Sequence, residues 1–426
     1  MTHAQDNEIT FRLFTRRNVI LFLCSFPLVT GVASGSRPVF ALGVYLLVLV
    51  TIEWIAGSRV LRAITVDREH QPRAFEGDTV TVELALANPS RNDTHLVEVV
   101  DSFPPGADYQ VAHVATNLPQ GQGVLFRYRR RCKRRRGLYL IGPLRLLAHS
   151  PLGVFQFRET RDVVSTMLVY PQAADIRGFD MLGRGTLLEI GDAVVRRIGR
   201  GEQFARLRPY RPGDPPRYIH WPTSARRGAF LVKEFEQNVV TEITVYCDMH
   251  LLALAGLGDS TSIEFRVKTA ASIATEAVRH HHMVRVVAVK DPVDMTTMAG
   301  GHEHIIAILD WLALLRAEGT GSFESYVSGE VEMLRRGSTA VLVLSSGNMD
   351  SDATAALVRL LAIRRVRPIC VIVDDRSFLK LRPEQDRPFV DALPLEDMVW
   401  LLKEAGAHVF TVRNQQDLST QLGVTA

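Results

Sequence analysis

Two apolar runs, Val19–Gly35 and Val39–Gly57, separated only by Ser36, Arg37 and Pro38, constrain this chain more than any other feature. Each is about 17 to 19 residues long, close to what a helix needs to cross roughly 30 Å of hydrocarbon. So short a connection permits two antiparallel spans, and Pro38 suits the turn between them. Neither run shows the polar stripe of an amphipathic helix. Glu53 is the one acidic residue inside, and its place beside Trp54 predicts an interfacial position. Arg12, Arg16 and Arg17 precede the first run and Arg59, Arg62 and Arg68 follow the second, whereas the turn carries only Arg37. That bias predicts both termini in the cytoplasm. A signal peptide over Arg12–Gly35 is the rival reading, with a basic start and the small residues Ala33, Ser34 and Gly35 at its end. The second apolar run following at once argues against a cleaved leader. Residues 1–62 are therefore read as a membrane helical hairpin with a cytoplasmic N-terminal segment.

At 426 residues the chain has room for two or three domains. The balance of 50 Lys and Arg against 46 Asp and Glu, a net +4, is too small to mark a nucleic-acid binder by itself. Cys24, Cys132, Cys247 and Cys370 form no CxxC pair. This excludes a zinc ribbon, a thioredoxin-like site and a disulfide scaffold, and it fits a reducing compartment.

Residues 63–172 alternate with period two between turn clusters, as in Thr79 to Leu86, and this predicts antiparallel strands. Further strands are expected at Leu96–Val100, Gly123–Arg131, Gly137–Leu147 and Val163–Val169, together an all-β sandwich. Eight of the ten residues from Arg127 to Arg136 are basic. No RNP-type aromatic pattern or recognition helix accompanies them, so nucleic acid is not the expected partner; an anionic lipid leaflet is.

Residues 173–238 are read as a linker and signature region, its glycine-bearing part running from Gly178 to Gly201. The signature runs Gly201 to Asp214, then Arg217-Tyr218-Ile219-His220-Trp221, Ser224-Ala225-Arg226 and Leu231 to Glu236. Pro212-Gly213-Asp214 is a turn by local chemistry. Arg208, Asp214, Arg217, Trp221, Ser224, Arg226, Lys233, Glu234 and Glu236 around it suit either a buried polar lock joining two domains or a binding surface.

From 239 to 426, Val/Ile/Leu-rich strands at Glu242–Cys247, Val284–Lys290, Ala340–Ser345, Pro368–Asp374 and His408–Val412 alternate with helices. The helices are expected at Ser262–His281, His304–Glu318, Phe323–Arg336, Asp352–Arg365 and Leu395–Ala405. This pattern predicts a Rossmann-like α/β domain of three layers around a mostly parallel sheet.

The segment Phe204 to Glu236 resembles the signature of the bacterial DUF58 family, as do Arg136 to Leu144 and Ser150-Pro151-Leu152-Gly153-Val154-Phe155. The resemblance covers nearly the whole chain. It implies a membrane protein with a C-terminal domain similar to von Willebrand factor type A domains, associated with MoxR-type AAA ATPases and without an established enzymatic activity. Type A domains carry a DxSxS metal motif completed by a later Thr and Asp. Here the corresponding run is Asp248-Met249-His250-Leu251-Leu252, and Ser345-Ser346-Gly347 stands where the later acid would fall, with Thr296 or Thr297 as a loosely aligned middle ligand. Only Asp248 is retained, so no metal dependence is expected.

Other chemistry is weaker. His280-His281-His282 cannot all point one way on a helix, and cations at a helix C-terminus explain them. Gly183 and Gly185 lack the strand, third glycine and helix of a dinucleotide fingerprint. The expected function is a non-enzymatic membrane-anchored scaffold or adaptor, without a cofactor, that recruits a cytoplasmic protein partner. The competing class is an enzyme with an acidic site at the strand ends, built from Asp248, Asp291 and Asp374. A third is a basic, membrane-associated nucleic-acid binder.

Overall fold

The computed structural model describes residues 16–90, 93–106, 110–149, 155–176, 179, 204–212, 214–235, 241–258, 260–379, 393–414 and 417–422, with backbone alone at 16–21, 56–60, 95, 204–206, 234–235 and 252. The chain divides into two compact units, Met1–Tyr170 and Pro171–Ala426. The expected linker over Gly178 to Gly201 and the motif Ser150 to Val154 lie outside the described residues, apart from Phe179, which is buried against Phe410.

The first unit opens with α1 (Arg16–Ser34) and α2 (Arg37–Ala63). Pro38 sits in the first turn of α2, where its missing N–H breaks no intrahelical bond. The two helices pack closely where glycine leaves room: a Cβ on Gly31 would lie 2.5 Å from the Phe40 nitrogen. Among the described residues one helical stretch, Arg37–Ile55, is long and apolar enough to cross a membrane, and Phe22–Ser34 is a shorter apolar helix. Glu53 is buried and Trp54 exposed.

Ten strands follow: β1 (Thr65–His70), β2 (Arg73–Phe75), β3 (Thr79–Ala87), β4 (Thr94–Ser102), β5 (Gln110–Leu118), β6 (Gly123–Arg131), β7 (Gly137–Ile141), β8 (Leu144–His149), β9 (Gln156–Arg161) and β10 (Ser165–Tyr170). They form sheets of order β1-β3-β6, β2-β10-β7 and β5-β4-β8-β9. Alternation puts Val80, Val82, Leu84 and Leu86 of β3 into an apolar core shared with Val97, Val99, Leu144, Leu146, Met167 and Val169.

One strand expected from Gly137 to Leu147 is two, in different sheets. The break falls at Gly142, whose φ of +104° suits glycine and where a Cβ would meet the Val163 carbonyl at 2.4 Å. Strands β5 and β9 were not anticipated, because Gln156–Arg161 carries one apolar residue, Phe157, among polar ones and β5 alternates weakly.

The basic run takes its place from the register. Thr65, just after α2, pairs with Ala87, which pairs with Gly123, while Arg131 pairs with Thr79 at the other end of the sheet. At about 3.3 Å per residue the two ends of β6 are about 26 Å apart. The most basic end of β6 thus lies at the end of the sheet remote from Thr65.

Inside this unit Arg68 forms an ion pair with Asp101, and both side chains are fully buried. Arg68 Nε donates to Asp101 Oδ2 at 3.1 Å, its Nη1 donates to the carbonyls of Ile141 and Val163 at 2.9 and 2.8 Å, and Tyr128 Oη donates to Asp101 Oδ2 at 2.7 Å. Burial, then the Asp101 charge and hydrogen bond, push the Tyr128 phenol pKa far up.

The second unit comprises β11 (Phe204–Pro209), α3 (Trp221–Arg227), β12 (Leu231–Phe235), β13 (Glu242–Asp248), β14 (Gly256–Leu257), β15 (Ser260–Thr261), α4 (Ser262–Arg279), β16 (Met283–Val289), β17 (Asp294–Met295), α5 (His302–Leu314), α6 (Phe323–Glu330), β18 (Thr339–Ser345), α7 (Ser351–Ile363), β19 (Arg367–Val373), α8 (Leu395–Glu404), β20 (His408–Val412) and α9 (Leu418–Leu422). A six-stranded sheet runs β17-β16-β13-β18-β19-β20, parallel except for β17. Tyr246, Leu342, Leu344, Cys370 and Ile372 pack on α6, α7 and α8, and the alternate residues face the other way, where α4 covers the sheet. The helix expected over Phe323–Arg336 stops at Glu330 and tightens into a 3-10 turn at Val331–Met333. The helix expected over His304–Glu318 runs instead from His302 to Leu314. Chain order reverses between β13 and β18, so the crevice at their C-terminal ends is the place where α/β sheets take ligands. All four cysteines are buried and none forms a disulfide.

Candidate functional site

The signature segment folds as a hairpin of β11 and β12, with Arg208 opposite Val232 and Pro209 opposite Leu231. The excursion between the strands is closed by a turn, the Asp214 amide donating to the Arg211 carbonyl at 3.0 Å. Arg208 grips Asp214 with two hydrogen bonds, Nη1 to Oδ2 and Nη2 to Oδ1, each 2.7 Å, and the Arg211 amide adds a third at 2.8 Å. Of the residues expected to form a polar lock, Arg208 and Asp214 are brought together, as a bidentate pair within the hairpin. These bonds, Arg208 first, hold the Asp214 carboxyl at about 2. A depressed folded pKa gives a contribution that is complete above the ordinary carboxylate range and lost as pH falls from there through about 2. A carbon-13 titration of the Asp214 carboxyl should have its midpoint near 2; a midpoint at the ordinary 3.8 would show the pair broken in solution.

His220 caps α3, its Nδ1 accepting from the Thr223 amide at 3.3 Å. Ser224 is buried: its Oγ donates to the His220 carbonyl at 2.9 Å and accepts from the Leu231 amide at 2.9 Å, tying α3 to β12. Trp221 points outward. It is 60% exposed and stands edge-on to Phe230, itself 57% exposed, at 6.1 Å between ring centroids. Tyr210 meets the other side of Phe230 at 6.2 Å. Arg217 lies 4.8 Å over the Tyr218 ring and is exposed, as are Arg211, Pro212, Arg226 and Arg227, while Lys233 is half-buried. Gly213, Glu236 and the side chain of Glu234 lie outside the described residues. The described part of the signature thus combines a rigid turn with an outward aromatic and arginine face. Phe230 and Tyr210 were missed in sequence, although an aromatic on each side of the Pro-Gly turn was the available signal.

A second constellation lies at the ends of β13, β18 and β19. Asp248 Oδ1 accepts from the His250 amide at 2.9 Å, and Asp248 Oδ2 lies 3.3 Å from Arg266 Nη1. Asp375, expected from sequence beside Asp374 as a solvated strand-end acid, is instead buried: it accepts from Ser345 Oγ and from the Gly347 amide at 2.8 Å, while its own amide donates to Ser346 Oγ at 3.0 Å. Burial pushes the Asp375 carboxyl up, opposed by the Arg266 charge and by hydrogen bonds from Ser345, Gly347 and Ser262. Thr296 is not here: it bonds to the Val286 backbone at the sheet edge, 3.0 Å from the amide.

The three acids of the enzyme reading are separately engaged. Asp291 accepts from the Thr320 amide at 2.9 Å, Asp374 lies 3.4 Å from Arg413, and Asp248 faces Arg266. The histidines likewise have different partners: His280 reaches Glu276 at 3.1 Å, His304 the Val284 carbonyl at 2.9 Å, and buried His282 the Thr241 amide at 3.4 Å. Among the described residues no group of three His, Cys, Asp or Glu side chains is placed to hold a metal ion.

With the geometry in view, the comparisons fall into place. The family described as Protein of unknown function DUF58 matches residues 206–386, which span the hairpin signature and much of the α/β sheet. The chain is mixed α/β, residues 206–386 are similar to that family, and among the described residues one helix is long and apolar enough to span a membrane. No curated protein matches the chain. Among solved structures, a manganese-loaded Plasmodium vivax TRAP protein is similar at 11% identity and a TM-score of 0.24, over 39% of this chain and 74% of that one. A Listeria innocua beta-glucosidase is similar at 11% identity and a TM-score of 0.15, over 25% of this chain and 16% of that one. The Pseudomonas fluorescens alkylpurine DNA glycosylase AlkC has 10% identity and a TM-score of 0.18, over 38% of this chain and 49% of that one. This chain therefore spans about a sixth of the glucosidase and half of the glycosylase. At TM-scores this low none of the three carries an argument about fold or activity.

Proposed function

We propose that this protein is a non-enzymatic, membrane-anchored adaptor whose α/β unit, similar to a von Willebrand factor type A domain, recruits a cytoplasmic protein partner. The observation that carries the reading is the exposed aromatic cluster of Trp221, Phe230 and Tyr210, within a segment whose Arg211, Arg217, Arg226 and Arg227 are also exposed. Trp, Tyr and Arg dominate the energetics of protein interfaces, and the Arg208–Asp214 pair fixes the turn that follows Tyr210. The resemblance to DUF58 proteins points to a MoxR-type AAA ATPase as that partner. Anchoring rests on α1 and α2, which leave Phe22, Phe26, Phe40, Tyr45 and Trp54 exposed, a surface that suits lipid better than water. In this reading both helices span the bilayer and both termini are cytoplasmic.

Purification from detergent-solubilised native membranes, with identification of what stays bound, tests the adaptor role. Trp221→Ala with Phe230→Ala should weaken capture of that partner by about 30-fold or more, since one hot spot is worth about 2 kcal/mol. The melting temperature should hold, because both side chains are exposed. Unchanged capture by the double variant would sink this surface. A C-terminal reporter active only outside the cytoplasmic membrane would sink the topology.

A further inference from the structure

At the switch point of the six-stranded sheet, two carboxylates and three hydroxyls come together from four separate segments. Asp248 ends β13, Ser262 starts α4, Ser345 and Ser346 close β18, and Asp375 follows β19; each is at most 8% exposed. An oxygen set of this kind suits a hard divalent cation, which the likeness to type A domains also implies. The residues present do not fit one. Arg266 enters the nest from α4 with no exposed surface. Its Nη1 donates to the Asp248 carbonyl at 2.8 Å and its Nη2 to the Ala253 carbonyl at 2.5 Å. A guanidinium stays protonated, so an added ion would meet a permanent positive charge at contact range. Two further atoms belong to the same nest: Arg266 Nε and Asp375 Oδ1 are buried and have no hydrogen-bond partner among the described residues. Groups of that kind are rare in isolation, because desolvation is not offset. Opposite charges sharing one small, dry space offset each other.

We infer that Arg266 is an internal counter-cation: its guanidinium stands where a divalent ion would, neutralises Asp248 and Asp375, and makes the strand-end loops independent of any external ion. The site is then a latent metal centre. Exchanging Arg266 for a short hydroxyl residue leaves the acids and serines facing a space that a hard cation can enter. The inference does not rest on the adaptor reading.

The test uses the full chain in detergent with Mn²⁺ as the probe, read by loss of the free Mn²⁺ electron paramagnetic resonance signal and by melting in Mn²⁺ or chelator. Wild type and Arg266→Lys should show no saturable binding and the same melting temperature in both conditions. Arg266→Ser should melt lower in chelator, bind Mn²⁺ saturably at concentrations where wild type does not, and recover stability in Mn²⁺. Adding Asp248→Asn should abolish that gain. Saturable, Asp248-dependent binding by wild type overturns the inference, as does a folded Arg266→Ser that ignores Mn²⁺. Should Arg266→Ser fold only in Mn²⁺, the inference stands. Should it fold in neither, the neutral triple variant Asp248→Asn, Arg266→Met, Asp375→Asn decides: it should fold without metal, and its failure means the charges are not one another's counterions.

Discussion

Asp101→Ala should destabilise the first unit by about 3–5 kcal/mol, because it strands the fully buried Arg68 guanidinium without its carboxylate. The pair is fully buried on both sides, and Tyr128 loses its acceptor at the same time. Arg68 retains the carbonyls of Ile141 and Val163, but these dipoles do not neutralise its charge. Hydrogen exchange in detergent reads the effect locally: amides of β4 and β8 should exchange hundreds-fold faster. Arg68→Met, Asp101→Leu and Tyr128→Phe together should restore most of the protection, since an apolar set of similar volume carries no desolvation cost. If Asp101→Ala alone exchanged like wild type, the charge would have found a partner that the fold does not show.

The second large effect falls in the α/β sheet. Leu342 lies mid-way along β18, fully buried and packed into the cluster with Tyr246, Val358 and Ile372. Leu342→Ala removes about 2–5 kcal/mol, through lost transfer energy and a cavity that surrounding strands cannot close. Its neighbours β13 and β19 are held by continuous parallel ladders, so collapse around the missing atoms is limited. Leu342→Met, which keeps the volume, should cost less than about 1.5 kcal/mol. Denaturant unfolding followed by Tyr246 environment or by exchange in β18 gives both numbers. Equal costs for the two variants would show that the sheet is less tightly packed than its burial suggests.

The second unit was more legible in the sequence than the first. Its strands read as unbroken apolar runs because both faces are covered, and five of them occur within a residue or two of the expected spans, from Glu242–Asp248 to His408–Val412. In the first unit the alternation of β3 and β6 was clear, whereas β5 alternates weakly, β9 carries one apolar residue among polar ones, and neither left a mark. The split at Gly142 was hidden for a different reason: the glycine is required by the approach of the Val163 carbonyl, a contact made by the connection between β9 and β10, distant in sequence.

By itself the sequence determined what is local. The period of each apolar pattern decides helix or strand, the length of the second apolar run makes it long enough to cross a bilayer, and Pro212 with Asp214 marks a turn whatever the rest of the chain does. The tertiary structure alone decided which distant side chains share a dielectric. Arg68 meets Asp101, Arg266 meets Asp248 and Asp375, and the Arg131 end of β6 is set at the end of the sheet remote from Thr65, through strand register and crossover. The energy of a charge depends on what surrounds it in space, and spacing along a chain carries no record of that.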